Sequence, residues 1–244
     1  MNLLDKIKPY VDNNLIVLGF ADKRYKEIAI NWVKYIDKLG IKNYVIVALD
    51  TEVFGYLSER EINVIMCEGN ISKKSGTGWR WRMDKIRELV DNSIDVLHSD
   101  LDAVWLRNPL CVLDNFDIVA SSVKSGFPTD TRNRWGFTIC MGWIFYRATK
   151  NVSSLLFKIF DGTKDYDDQT EFNNYLSSNI SLDEMNKLQC GSREFKIQDI
   201  DIKILNSEII KRGDYNETAL VCHPMMKKKA DCKTQLKRRG LWCI

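Results

Sequence analysis

Two aspartates and one of the two histidines, His223, carry most of the chemistry this sequence offers. In VLHSDLDAVWLRNP (96–109) an apolar run ends in Asp100 and Asp102, and the chain then turns apolar again. A buried carboxylate is costly unless something pairs with it. In an extended chain, residues two apart face the same side, so two carboxylates there repel unless a cation lies between them. Mg2+ and Mn2+ are hard ions that take oxygen ligands, usually one or two carboxylates plus substrate phosphates. The D-x-D tripeptide says little alone; its place at a strand end says more. His98 lies two residues before Asp100, and His223 in LVCHP ends a second apolar run. His223 precedes Pro224 and Lys227–Lys229, as a third metal ligand beside phosphate-binding lysines would.

Other groups have two readings each. Arg80, Arg82 and Lys85 precede the aspartate strand on one helical pattern, and Arg82 and Lys85 share a face. One of them could reach a nucleotide. The basic C-terminal run of Lys227–Lys229, Lys233, Lys237, Arg238 and Arg239 is either a solvated face or a means to neutralise a departing diphosphate. In DYDDQ (165–169), Asp167 and Asp168 either favour a helix N-terminus or supply a carboxylate for an acceptor hydroxyl. Seven cysteines form no C-x-x-C pair, which fits free thiols in a reducing compartment. Cys222, His223, Cys232 and Cys243 match no familiar zinc spacing.

The elements that must position these residues alternate. NLIVLGF (14–20) reads as a buried strand. Ile28, Trp32, Tyr35 and Leu39 mark a helix that Gly40 stops. NYVIVALD (43–50), a helical stretch near 51–60 and INVIMC (62–67) continue the alternation. The polar, glycine-rich segment 69–79 reads as a loop, and Trp79, Met83, Ile86 and Val90 as a helix. SIDVLHSD (93–100) is a fourth strand. This order predicts a parallel sheet with right-handed crossovers, and ligands bind outside the carboxyl ends of such strands. Further strands are predicted at 116–122, 138–147, around 195–205 and at 219–223, with a polar loop over 127–137. Helices are predicted over 151–161 and from 165–176.

The chain has 244 residues, 45% of them hydrophobic and 28% charged, which suits one large domain with a sizeable core. A net charge of +3 gives no bulk argument for nucleic acid. MNLLDKIKPY is charged and is no cleavable signal, and no apolar run has the length of a membrane span. The expected setting is therefore cytoplasmic.

Taken together, the motifs resemble the nucleotide-diphospho-sugar transferase group of GT-A glycosyltransferases, which includes glycosyltransferase family 77. The Lys85 helix followed by VLHSDLDAVWLRNP is similar to that group's lysine helix and its D-x-D, V-W-L-R-x-P signature. MGWIFYRAT resembles its N-x-G-F-x-x-x-R strand, and DDQTEFNNYL its D-Q-x-x-F-N helix start. CHPMMKKKADCKTQLKRRGLW resembles its closing H, K and L-x-x-x-G-L-W segment. The asparagine usual before the glycine is Cys140 or Met141 here, which puts the donor sugar in question.

The resemblance implies an α/β fold: one GT-A domain over 1–244 with a Rossmann-like, mostly parallel sheet flanked by helices. The nucleotide half would cover about 1–110, and a smaller antiparallel acceptor half about 111–244. It implies Mn2+ or Mg2+ on Asp100, Asp102 and His223, with Asp100 also near the ribose. Gly19, Phe20 and Ala21 would hold base and ribose. Lys85 and Lys229 would face the nucleotide or its phosphates. Gly142, Trp143, Asp168 and Gln169 would line the sugar and acceptor pocket, with Asp168 and Asp102 catalytic. The expected activity moves a sugar from a nucleotide-diphosphate sugar, UDP-linked first, to a glycan or glycoprotein hydroxyl. Two other readings stay open: a metal-dependent nucleotidyltransferase, though no G-x-x-x-x-G-K-[ST] loop is present, and an anion-binding module built on the basic tail.

Overall fold

A computed structural model describes residues 2–67, 77–161, 167–189, 191, 193–212, 218–224 and 232–244. In chain order the first elements are α1 (Leu3–Ile7), β1 (Leu15–Ala21), α2 (Lys26–Lys38), β2 (Tyr44–Ala48), α3 (Thr51–Ser58) and β3 (Val64–Met66). Next come α4 (Thr77–Asp91), β4 (Asp95–Ser99), β5 (Val104–Trp105), β6 (Ile118–Val123), α5 (Thr129–Trp135) and β7 (Thr138–Tyr146). The chain closes with α6 (Lys150–Phe160), α7 (Asp168–Asn179), α8 (Leu182–Gln189), β8 (Glu194–Ile197), β9 (Ile200–Ile204), β10 (Ile210–Arg212), β11 (Val221–His223) and α9 (Cys232–Arg238).

The contacts divide the chain into two compact units that are discontinuous in sequence. The first holds Met1–Gly69, His98–Val112 and Ser207–Ile244; the second holds Asn70–Leu97 and Leu113–Asn206. In the first unit β1 pairs parallel with β2 (Val17 opposite Tyr44), and β2 parallel with β3 (Ile46 opposite Val64). β2 is buried at every position, as a strand of a parallel sheet covered on both faces should be. Its near-continuous apolar run is what marks it in the sequence. α2 buries Ile28, Ala29, Trp32, Val33 and Ile36, an i, i+4 stripe. A second, three-stranded sheet runs β10-β11-β5, with β10 and β11 parallel and β11 antiparallel to β5. The Trp105 ring on β5 meets Trp32 of α2 edge-on at 6.1 Å between centroids.

In the second unit the strand order is β7-β6-β9-β8. β6 is antiparallel to β7 and parallel to β9, and β8 closes an antiparallel hairpin with β9. α6 buries an apolar stripe of Val152, Leu155, Leu156, Ile159 and Phe160 and packs beside α4 and α7. The α/β class expected from the sequence is observed, with parallel pairing in the first unit and antiparallel pairs in the second.

Three differences from the sequence reading have local causes. The predicted polar loop 127–137 contains the helix α5, which buries only Thr131 and Trp135 and ends at Gly136 with φ of +77°. The basic tail contains α9, which buries Cys232 and Leu236, again one i, i+4 pair. One pair of buried residues in seven is too weak a period to stand out against charged neighbours. α8 and β10 also went unpredicted, both short and edged with polar residues.

Candidate metal centre

The first unit brings Asp100, Asp102 and His223 together. After β4 the chain turns instead of staying extended: the Ala103 amide donates to the Asp100 carbonyl at 3.0 Å. Leu101, between the two aspartates, is buried and packs against β1 at Gly19. A Cβ on Gly19 would stand 2.6 Å from Leu101 Cδ2, so only glycine lets β1 come this close. Trp105 Nε1 donates to Ser99 Oγ at 3.1 Å and fixes the other side of the turn. His223 arrives from the C-terminal part of the chain on β11, whose pairing with β10 and β5 sets its position.

Nε2 of His223 lies 3.6 Å from Asp100 Oδ2 and 3.4 Å from Asp102 Oδ1. One ligand atom from each of the three residues lies within 4.8 Å of the other two. Asp102 and His223 are buried, while the Asp100 side chain keeps 35% exposure. The site is therefore closed on the protein side and open along Asp100. Arg212, opposite His223 in the β10–β11 register, donates to His223 Nδ1. Arginine can only donate, so in this arrangement the ring proton sits on Nε2 and faces the carboxylates. A metal ion taken on Nε2 would displace that proton.

Three more side chains surround the carboxylates. His98, also buried, places Nε2 3.3 Å from Asp100 Oδ1 and Nδ1 3.1 Å from the Leu18 carbonyl of β1. The Cys232 thiol, at the start of α9, donates to Asp102 Oδ2 at 3.9 Å. Burial first, then the Asp102 charge, pushes that thiol up, so it stays an S–H donor. Burial and the charge of Asp102 push the Tyr25 phenol up in the same way. None of these three was assigned to the site from sequence. Tyr25 and Cys232 lie far from the aspartates along the chain, so no local pattern links them.

The second unit holds a different cluster. Asp168, in the first turn of α7, is buried and ion-paired with Arg82 of α4. Arg82, read from sequence as a candidate for the nucleotide, is thus occupied by a carboxylate. Its guanidinium also lies over the Trp79 ring, 4.5 Å from the centroid. Asp167 caps α7 by accepting from the Thr170 amide. Gln169 Nε2 donates to the Phe127 carbonyl at 2.8 Å. Gly142 and Trp143 lie buried in β7. The Trp143 indole N–H meets no acceptor among the described residues. Lys85 is partly exposed and pairs with Glu88 at 2.8 Å. Lys229, with Lys227 and Lys228, lies outside the described residues.

Two carboxylates from the turn after β4 and one imidazole from β11, facing one another, fit a hard divalent cation shared with a phosphate. The model of the nucleotide-diphospho-sugar transferases matches residues 39–237, from the end of α2 to α9. This chain belongs to that family. Known proteins resemble it over much of its length. It is 23% identical over 231 residues to beta-arabinofuranosyltransferase RAY1 of Arabidopsis thaliana, covering 88% of this chain and 42% of RAY1. It is 27% identical over 164 residues to arabinosyltransferase RRA2 of the same plant, covering 62% of this chain and 36% of RRA2. The chain thus spans less than half the length of these relatives. Among solved structures, the galactosyltransferase LgtC in complex with donor and acceptor sugar analogues aligns with a TM-score of 0.53 at 12% identity, covering 93% of this chain and 96% of LgtC. That likeness is one of fold, and the fold is GT-A.

Proposed function

We propose that this chain is a metal-dependent glycosyltransferase. It moves a sugar from a nucleotide-diphosphate sugar, UDP-linked as the first candidate, to a hydroxyl of a glycan or glycoprotein. The observation that carries the reading is the convergence of Asp100, Asp102 and His223 from two distant stretches of the chain. Asp100, Asp102 and His223 would hold Mn2+ or Mg2+, which when bound supplies positive charge to the diphosphate as it leaves. Gly19, Phe20 and Ala21 would border the base and ribose, and Lys85 and Lys229 would face the nucleotide or its phosphates. Gly142, Trp143, Asp168 and Gln169 would meet the sugars.

The acceptor oxygen forms a bond to the anomeric carbon while the bond from that carbon to the diphosphate breaks. The hydroxyl proton passes to a base, for which Asp168 is the candidate. The Arg82 ion pair supports a role for Asp168 in orienting sugar hydroxyls, because it fixes the carboxylate in place. The unmatched Trp143 indole donor supports a polar group of a ligand nearby. The relatives are named as arabinosyltransferases, so UDP-arabinose is the donor to test first.

The test is release of nucleoside diphosphate from UDP-arabinose and from other UDP-, GDP- and dTDP-linked sugars, with Mn2+ or with EDTA. Release that needs the metal and disappears in Asp102→Ala is the expected result. No release from any sugar nucleotide, or pyrophosphate release from a nucleoside triphosphate instead, would overturn the assignment.

A further inference from the structure

Three large aromatic side chains of the second unit keep 36% exposure or more: Trp79, Phe127 and Phe157. Two of them face a guanidinium. Arg82 lies over the Trp79 ring, and Arg87 over the Phe157 ring at 5.1 Å from its centroid. Phe127, the most exposed of the three at 56%, has no aromatic or cationic partner for its ring among the described residues. Its backbone, by contrast, is pinned. The Gly126 carbonyl accepts from Arg132 Nη1 of α5 at 3.4 Å, and the Phe127 carbonyl from Gln169 Nε2 of α7 at 2.8 Å. Gly126 lies so close to β7 that a Cβ there would collide with Thr138 Oγ1. The bond from Gln169 also settles which way its amide points. Nε2 is engaged, and no described residue donates to the remaining acceptor, Oε1. The Gln169 side chain is only partly buried, so that oxygen is within reach of a ligand.

We infer that Phe127 and Gln169 form a subsite for the acceptor sugar, in which a glycan ring lays a C–H face on the phenyl ring and turns a hydroxyl to Gln169 Oε1. The inference rests on the sugar-transfer reading above, and adds to it one residue and one chemical requirement. A sugar ring is amphipathic: axial C–H bonds form an apolar face, and hydroxyls surround its edge. The face of an aromatic ring is negative, so weakly positive C–H hydrogens settle on it. Ligand sites combine such apolar area with a few placed polar groups that fix orientation. An open phenyl beside an open amide oxygen supplies both. Because the backbone of Phe127 and the amide of Gln169 are already held, little order is lost when a ring arrives. One phenyl is too small an apolar patch to hold a protein partner.

The experiment follows binding of methyl β-D-galactopyranoside, methyl β-D-xylopyranoside and methyl α-L-arabinofuranoside to the full chain by saturation-transfer NMR, with and without UDP and Mn2+. Wild type is compared with Phe127→Tyr, Phe127→Leu and Phe127→Ala, after circular dichroism has shown each to be folded. Wild type should bind at least one glycoside. Phe127→Tyr keeps the flat ring and should bind as wild type does. Phe127→Leu, apolar but not flat, and Phe127→Ala should bind on the order of tenfold more weakly. Unchanged affinity in Phe127→Ala, or equal affinity in Phe127→Leu and Phe127→Tyr, would overturn the stacking role. Wild type that binds none of the three glycosides would overturn the subsite. Displacement of the glycoside by UDP-arabinose with Mn2+, but not by UDP with Mn2+, would put the donor sugar at Phe127 and overturn the acceptor assignment. Wild type that binds a glycoside through Phe127 but neither UDP nor UDP-arabinose with Mn2+ would overturn the transferase reading instead.

Discussion

At the scale of single residues, the chain repeatedly places a carboxylate where water is scarce and answers it with a specific partner. Asp168 has Arg82, and Asp100 and Asp102 have His223 between them with His98 and Cys232 behind. Breaking a buried ion pair by removing one partner leaves an uncompensated charge and costs about 3–5 kcal/mol. Arg82→Leu should therefore lose stability by that order in urea unfolding, and Arg82→Leu combined with Asp168→Leu should lose less. A loss in the double variant equal to the sum of the Arg82→Leu and Asp168→Leu losses would mean that the pair is not coupled. Gly19 acts at this scale too. Gly19→Ala puts a Cβ against Leu101 and should cost about 1–3 kcal/mol, as overpacking does. The loss in Gly19→Ala combined with Leu101→Ala should be smaller than the sum of the two single losses, measured by urea unfolding. The D-x-D pair itself was legible because it interrupts an apolar run, an event a sequence displays directly. His98 and Cys232 were not legible as its partners. Cys232 is 130 residues from Asp102, and a thiol among lysines carries no signal of its own.

At the scale of elements, the longer strands and helices followed from period and composition, and α5, α8, α9 and β10 did not. α2 and α6 show full apolar stripes, whereas α5 and α9 bury one i, i+4 pair each. What holds the C-terminal segment is a polar residue on α2. Asn31, fully buried, donates to the Leu241 carbonyl at 2.9 Å and accepts from the Cys243 amide at 2.8 Å. Asn31→Leu leaves both backbone groups unmatched and should cost roughly 1–3 kcal/mol. Hydrogen exchange at residues 241–243 should quicken, and unchanged protection there would contradict the clamp. The start of α7 is sensitive to pH. Burial first, then the neighbouring Asp168 charge, raises Asp167 above its ordinary value. A raised carboxylate favours folding while protonated, and that contribution is lost as pH rises through its folded value. Asn caps a helix about as well as Asp. Asp167→Asn should therefore melt higher than wild type at neutral pH, with the gain vanishing toward pH 3. A gain that persists at pH 3 would contradict the electrostatic cause.

At the scale of the whole molecule, Asp100, Asp102 and His223 lie in the first unit and the Asp168–Arg82 pair in the second, and the family match from residue 39 to 237 covers both groups. Unit one takes in residues from 207 onward, so Asp100 and Asp102 meet His223 only through a segment more than 100 residues further along the chain. Among the described residues no helix is long and apolar enough to cross a membrane. The α/β class was legible because alternating apolar runs and helical periods fix it. The return of the C-terminal segment to Asp100 and Asp102 was expected only through His223, from the family resemblance, because contacts across the chain leave no trace in local pattern. The central claim is that the first unit holds a divalent cation and a nucleoside diphosphate together. The most direct measurement is the melting temperature with UDP and Mn2+, against UDP with EDTA, in wild type and Asp102→Ala. A ligand at 100 times its dissociation constant adds about 2.7 kcal/mol. For a chain of this size that is a rise of roughly 5–10 °C. The account predicts such a rise only when Mn2+ and UDP are both present and only with Asp102 intact. An equal rise in EDTA or in Asp102→Ala, or no rise in wild type, would contradict it.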